Sequence, residues 1–151
     1  MVVDIKDYGA VGDGKTLNTK AIQKAIEDCA AGGGGRGNIS AGIFMSGSIR
    51  LRSGIELHIA HDGVLLGSPD CKDYPEQTNT RINHENLPRR RSGCLIYAED
   101  CVNIAVTGRG TIDCNGTNFV EPVPDDVNGP GFRRIDAPTP PRVVFSWGAK
   151  T

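Results

Sequence analysis

One internal repeat constrains this chain more than any other feature. The pattern Ile55-x-Leu57-x-Ile59-x-x-x-Gly63-x-Leu65 returns as Val102-x-Ile104-x-Val106-x-x-x-Gly110-x-Ile112, at a constant offset of 47 residues (55 to 102, 65 to 112). Apolar residues that alternate with period two are a strand signature. Self-similarity at a fixed spacing marks a stacked architecture, in which one unit cannot bury its apolar face without a neighbour. Solenoid coils commonly run to roughly twenty-odd residues, so 47 reads as about two coils, with long irregular stretches thrown out of one turn. A β-sandwich could also repeat alternating strands, but it has less reason to keep the glycine.

The rest of the chain supports many short strands. With 151 residues, one domain is expected. Twenty Gly and nine Pro against 5% aromatic residues suit strands joined by frequent turns. Further strand-like runs occur at Ile49 and Leu51, Val64 to Leu66, Cys94 to Tyr97, Thr111 to Ile112 and Val143 to Phe145. A helix is expected over about 18–31, where Ala21, Ile22, Ala25, Ile26 and Cys29 recur at helical spacing. Asn18 or Thr19 can cap its start, and Gly32 and the glycines after it stop it. A single helix ahead of many strands reads as a lid on one end of a sheet-based body. In the following Gly37-Asn38-Ile39 only Ile39 is β-branched, so the first strand after the helix is expected to be weak. Two stretches, 68–92 and 115–142, are long, polar and rich in Pro, and are expected to be irregular loops.

Several function classes lose ground on composition. A net charge of −1 disfavours nucleic acid as the main partner. No run of 18 or more apolar residues exists, so no membrane span is expected, and no signal peptide follows Met1. The chain is then cytoplasmic, or a leader has been removed. The five Cys (29, 71, 94, 101, 114) form no C-x-x-C pair, and His58, His61 and His84 are isolated, so no metal site and no cofactor are expected.

Ordered motifs add a family resemblance. Lys6-Asp7-Tyr8-Gly9-Ala10-Val11-Gly12-Asp13-Gly14-Lys15-Thr16, followed by Thr19 and Ala21-Ile22-Gln23-Lys24-Ala25-Ile26, resembles the opening motif of pectate-lyase-like β-helix proteins. Gly47-Ser48-Ile49-Arg50-Leu51-Arg52-Ser53, Leu95-Ile96-Tyr97-Ala98, Gly108-Arg109-Gly110-Thr111-Ile112-Asp113 and Pro140-Pro141-Arg142-Val143-Val144-Phe145 resemble the polygalacturonase-type glycoside hydrolases. The resemblance implies an all-β, right-handed parallel β-helix with an N-terminal capping α-helix, incomplete at its C-terminal end. Residues 1–151 would be the N-terminal part of one such domain, with early coils over about 43–151. It also implies inverting hydrolysis of α-1,4-galacturonosyl bonds in pectic polysaccharide or galacturonate oligosaccharide, with no metal. Two other classes stay open: a non-catalytic polysaccharide-binding β-helix module, and a pectate lyase-like protein.

An inverting hydrolase needs a carboxylic acid and a carboxylate base some way apart. The family carries these in an Asn-x-Asp segment and a later Asp-Asp pair; the chain has no Asn-x-Asp, so the catalytic acids are expected beyond Thr151. Asp125-Asp126 is adjacent and acidic but sits in a Pro-rich segment, and it is expected to be a solvated pair outside the coil strands. Arg81, Arg89, Arg90 and Arg91 fall in the first long stretch, Arg133 and Arg134 in the second. Guanidinium groups clasp carboxylates through two parallel hydrogen bonds, so Arg81, Arg90 and Arg91 are candidate substrate contacts, with Tyr97 as a stacking face. A solenoid that stops mid-coil leaves an open end, through which self-association is expected.

Overall fold

The computed structural model describes residues 1–75, 94–126, 129–134 and 142–146, with side chains up to Phe119. Its strands run β1 (Val2–Asp4), β2 (Asp13–Leu17), β3 (Gly35–Ile39), β4 (Gly42–Ser46), β5 (Ile49–Arg50), β6 (Ile55–Ile59), β7 (Gly63–Gly67), β8 (Cys94–Glu99), β9 (Ala105–Gly108), β10 (Thr111–Asp113), β11 (Val120–Asp126), β12 (Gly129–Arg134) and β13 (Arg142–Ser146). Among the described residues one α-helix, α1 (Thr19–Ala31), lies between β2 and β3. Three sheets collect one strand from each circuit of the chain: β1-β3-β6-β9, β2-β4-β7-β10 and β5-β8-β13. Every pairing within them is parallel. This is the strand order of a parallel β-helix.

Alternation decides what faces the core. In β6, Ile55, Leu57 and Ile59 are buried while Glu56 and His58 are half-buried on the outer side. In-register stacking then builds apolar columns, Phe44 on Leu65 and Leu65 on Ile112 in the second sheet, Ile49 on Ile96 in the third. The spacing of those columns corrects the expectation of two coils. Gly35 pairs with Ile55 and Gly42 with Gly63, so one plain circuit takes about twenty residues. Ile112 pairs with Leu65 in the very next circuit, so the 47-residue offset is one coil lengthened by the 68–93 connection.

The helix forms where the sequence places it. Its buried face, Ile22, Ala25, Ile26 and Cys29, packs on the first circuit, against β1, β3 and β5. Gly34 N–H donates to the Cys29 carbonyl and Gly33 N–H to that of Ala30, the paired bonds of a glycine-terminated helix end, with Gly33 at φ 95°. Asn18 holds the N-cap position, yet its side chain makes no cap bond. It is buried and stitches three segments instead. Its Oδ1 accepts from Val11 N–H (2.7 Å), and its Nδ2 donates to the carbonyls of Val11 (3.0 Å), Thr16 (2.8 Å) and Met45 (3.3 Å).

Two stretches are more regular than their composition suggests. The segment after the helix is a complete strand, paired along Gly35–Ile39 with β6 and along Arg36–Asn38 with β1. Gly37 faces the helix, where a Cβ would lie 4.0 Å from Ile26, an ordinary contact. The second long stretch is not wholly irregular. It contains β11 and β12, an antiparallel hairpin outside the three stacked sheets, and Asp125-Asp126 ends its first strand.

Candidate functional site

All the long connections leave the stack at one corner, between the second sheet and the third. In successive circuits this corner is spanned by residues 47–48, 68–93 and 114–141. The roots of these connections touch. Ser48 N–H donates to the Asp73 carbonyl, and the Asn115 side-chain amide donates to the Gly67 carbonyl. Tyr74, in the first excursion, meets Phe119, in the second, edge to face at 6.3 Å between ring centres. The Tyr74 hydroxyl donates to the Ser68 carbonyl (2.8 Å), and burial pushes its pKa well above the usual tyrosine value. The excursions therefore rise from a packed, hydrogen-bonded base that flanks the third sheet.

The register sets Arg50, Tyr97 and Val144 side by side in β5, β8 and β13, with the half-buried Arg50 and Tyr97 on the outer side. Tyr97 is half-buried, and the Arg50 guanidinium carbon lies 6.0 Å from its ring centre. The helix fixes the backbone beneath this pair. Gln23 Oε1 accepts from Arg50 N–H (2.9 Å), and Gln23 Nε2 donates to the Arg50 carbonyl (3.1 Å). The Arg50 Nε is buried with no hydrogen-bond partner.

The outer side of the first sheet is different. Glu56 Oε1 accepts from the Thr107 hydroxyl (2.5 Å) and Oε2 from Arg36 Nε (3.0 Å). The Thr107 hydroxyl and then Arg36 hold the Glu56 carboxyl below the usual range. His58 Nδ1 meets the Thr107 hydroxyl at 2.9 Å, and Asn38 with Ser40 binds Asp4. Every charge in this ladder already has its partner, which suits a strand-to-strand brace rather than a reactive site. Asp13 behaves similarly. The Thr16 and Lys15 N–H groups and then the Thr16 hydroxyl bind its carboxylate and hold its pKa at about 2, so the opening motif acts as a turn lock.

Of the four substrate contacts expected from sequence, Tyr97 lies on the outer side of the third sheet beside the excursion corner. Arg81, Arg90 and Arg91 belong to the connection between β7 and β8 and lie outside the described residues, as does His84. Arg133 and Arg134 end β12. The sequence reading missed Arg50. The signal was present, since the 47-residue step that aligns Leu65 with Ile112 also aligns Arg50 with Tyr97. Among the described residues, no three His, Cys, Asp or Glu side chains gather as a metal-binding group, and no helix is long and apolar enough to cross a membrane.

No family model matches the chain. An exo-poly-alpha-D-galacturonosidase of Dickeya chrysanthemi is 38% identical over 123 residues, covering 76% of this chain and 20% of its own length. The solved family 28 exopolygalacturonase of Yersinia enterocolitica superposes with a TM-score of 0.68 at 36% identity, over 89% of this chain and 24% of its own. The hyperthermoactive exopolygalacturonase of Thermotoga maritima superposes at 0.62, also at 36% identity, over 75% of this chain and 24% of its own. The chain thus spans about a fifth to a quarter of the length of the curated relatives it matches. The stacked parallel sheets, the single covering helix and these likenesses agree that the chain belongs to the polygalacturonase-type glycoside hydrolases.

Proposed function

We propose that the protein carrying this chain hydrolyses α-1,4-galacturonosyl bonds of pectic polysaccharide with inversion, and that residues 1–151 build the helix cap, the first coils and one wall of the sugar cleft. The observation that carries the reading is the common corner from which both excursions rise beside the outer face of the third sheet, where Tyr97 lies. An aromatic ring on an open sheet face beside long connections suits an extended polysaccharide better than a small metabolite. The exo-acting names of the relatives favour attack from a chain end.

The acid and base come from residues outside 1–151. Asp125 and Asp126 end a hairpin strand that lies outside the three stacked sheets. The test is reducing-end release from polygalacturonic acid by the full polypeptide and by residues 1–151 alone. Turnover by the full polypeptide only is the expected result. No turnover by the full polypeptide would sink the hydrolase reading in favour of a binding module. Turnover by residues 1–151 would show that the acids have been misplaced.

A further inference from the structure

We propose that Arg50 is a carboxylate-recognition residue on the outer face of the third sheet, gripping a hexuronate unit of the substrate with Tyr97 as its neighbouring platform. This rests on the pectic-substrate reading above and names a contact within it. Three observations carry it.

The first is an imbalance of charge. Near Arg50, the acid on the helix is committed elsewhere, since Glu27 accepts from Gln23 (3.2 Å) and Arg52 (3.5 Å). On the first sheet Arg36 has Glu56. Among the described residues, no carboxylate is within ion-pair distance of Arg50, and its contacts are the Tyr97 ring and the backbone bonds to Gln23. The second is the buried Nε without an acceptor. A guanidinium N–H taken from water and given no acceptor is costly, so a turn of the guanidinium that brings this N–H to a ligand oxygen would remove that cost. The third is rigidity. Gln23 clamps the Arg50 backbone from both sides and Tyr97 flanks the guanidinium, so less side-chain freedom is lost on binding.

A carboxylate with two coplanar oxygens matches the guanidinium fork, and Arg is better suited to it than Lys. Each galacturonate carries such a group, whereas its methyl ester has no charge there. The arrangement therefore discriminates acid from ester.

The experiment measures calorimetric binding of a thio-linked, non-hydrolysable trigalacturonate and of its methyl triester to the full polypeptide. It compares wild type, Arg50→Gln and Arg50→Lys, with melting curves recorded for each. The expected result is a loss of about tenfold or more for the acid in Arg50→Gln, with the ester unaffected, and an intermediate loss in Arg50→Lys. Should Arg50→Gln fail to fold, Arg50→Lys decides, because its charge is kept and only the fork is lost. Unchanged acid binding in a folded variant, or equal weakening of acid and ester, overturns the role of Arg50 and leaves the hydrolase reading intact. If wild type binds neither ligand, the pectic-substrate reading itself fails, and the inference with it.

Discussion

Asn18 offers a test in which two accounts of one residue predict opposite signs. An asparagine at a helix N-cap is ordinarily replaceable by aspartate, which caps as well and suits the positive end of the helix. On that account Asn18→Asp is neutral or slightly stabilising. The structure uses the residue differently, since its amide nitrogen faces three carbonyls and its oxygen takes Val11 N–H. Three of these bonds are 2.7–3.0 Å long, and at roughly 1 kcal/mol net for each, Asn18→Ala should cost about 3 kcal/mol. Asn18→Asp keeps the acceptor for Val11 but turns an oxygen toward the carbonyls of Val11, Thr16 and Met45, so at neutral pH it should cost at least as much. The sign with pH follows. A carboxyl among carbonyl oxygens has its folded pKa raised above the unfolded value near ~4. The protonated form recovers one donor, so the deficit shrinks below about pH 4 and grows as pH rises through the folded value. Thermal and urea unfolding of wild type, Asn18→Ala and Asn18→Asp at pH 7 and pH 3.5 read this directly. An aspartate variant as stable as wild type at pH 7 would refute the donor role and restore simple capping.

Two further outcomes are expected. Asp13 has its folded pKa held at about 2, below an unfolded value near ~4, so its contribution is present above about pH 4 and lost as pH falls toward 2. Asp13→Asn should flatten that part of the stability profile, and an acid limb identical to wild type in pH-titrated unfolding would count against the turn lock. Residues 1–151 alone should self-associate, because the inward side chains Val106 and Ile112 are only half-buried, whereas Leu57 and Leu65 one circuit earlier are fully buried. Sedimentation velocity should show oligomers that Val106→Lys shifts toward monomer, and a single monomer boundary for the unmodified chain would exclude this.

Much of the fold was legible because its strongest signals are local. Period-two alternation identified the strand runs, and Ile22, Ala25, Ile26 and Cys29 identified the helix. Register was harder, and the reason is physical. The sequence overlay matched Leu57 with Ile104, but the structure pairs Leu57 with Val106. Alternation fixes which face a residue occupies, and a slip of two residues preserves the face while changing the partner. The slip is absorbed at the next corner, where Ile59 to Val64 is opposed by the shorter run Gly108 to Thr111. Gly108 at φ 107° makes that shortcut possible. The hairpin was missed because Pro122, Pro124 and Pro130 read as strand breakers, although an isolated ribbon has outer edges that tolerate proline. For the site, Tyr97 was accessible through resemblance. Arg50 was not singled out because a charge beside a strand looks like solvated surface until its neighbour across the sheet is known.

The single corner from which the excursions depart separates two jobs that most folds entangle. Ladder bonds and core columns run through the three sheets, and a segment inserted at this corner interrupts neither. Connections as different as 47–48 and 68–93 hold neighbouring circuits in the same register. Insertions and deletions beyond the packed roots of these connections can accumulate there with little effect on the stack. The mechanical frame and the connections that leave this corner are therefore free to diverge at different rates.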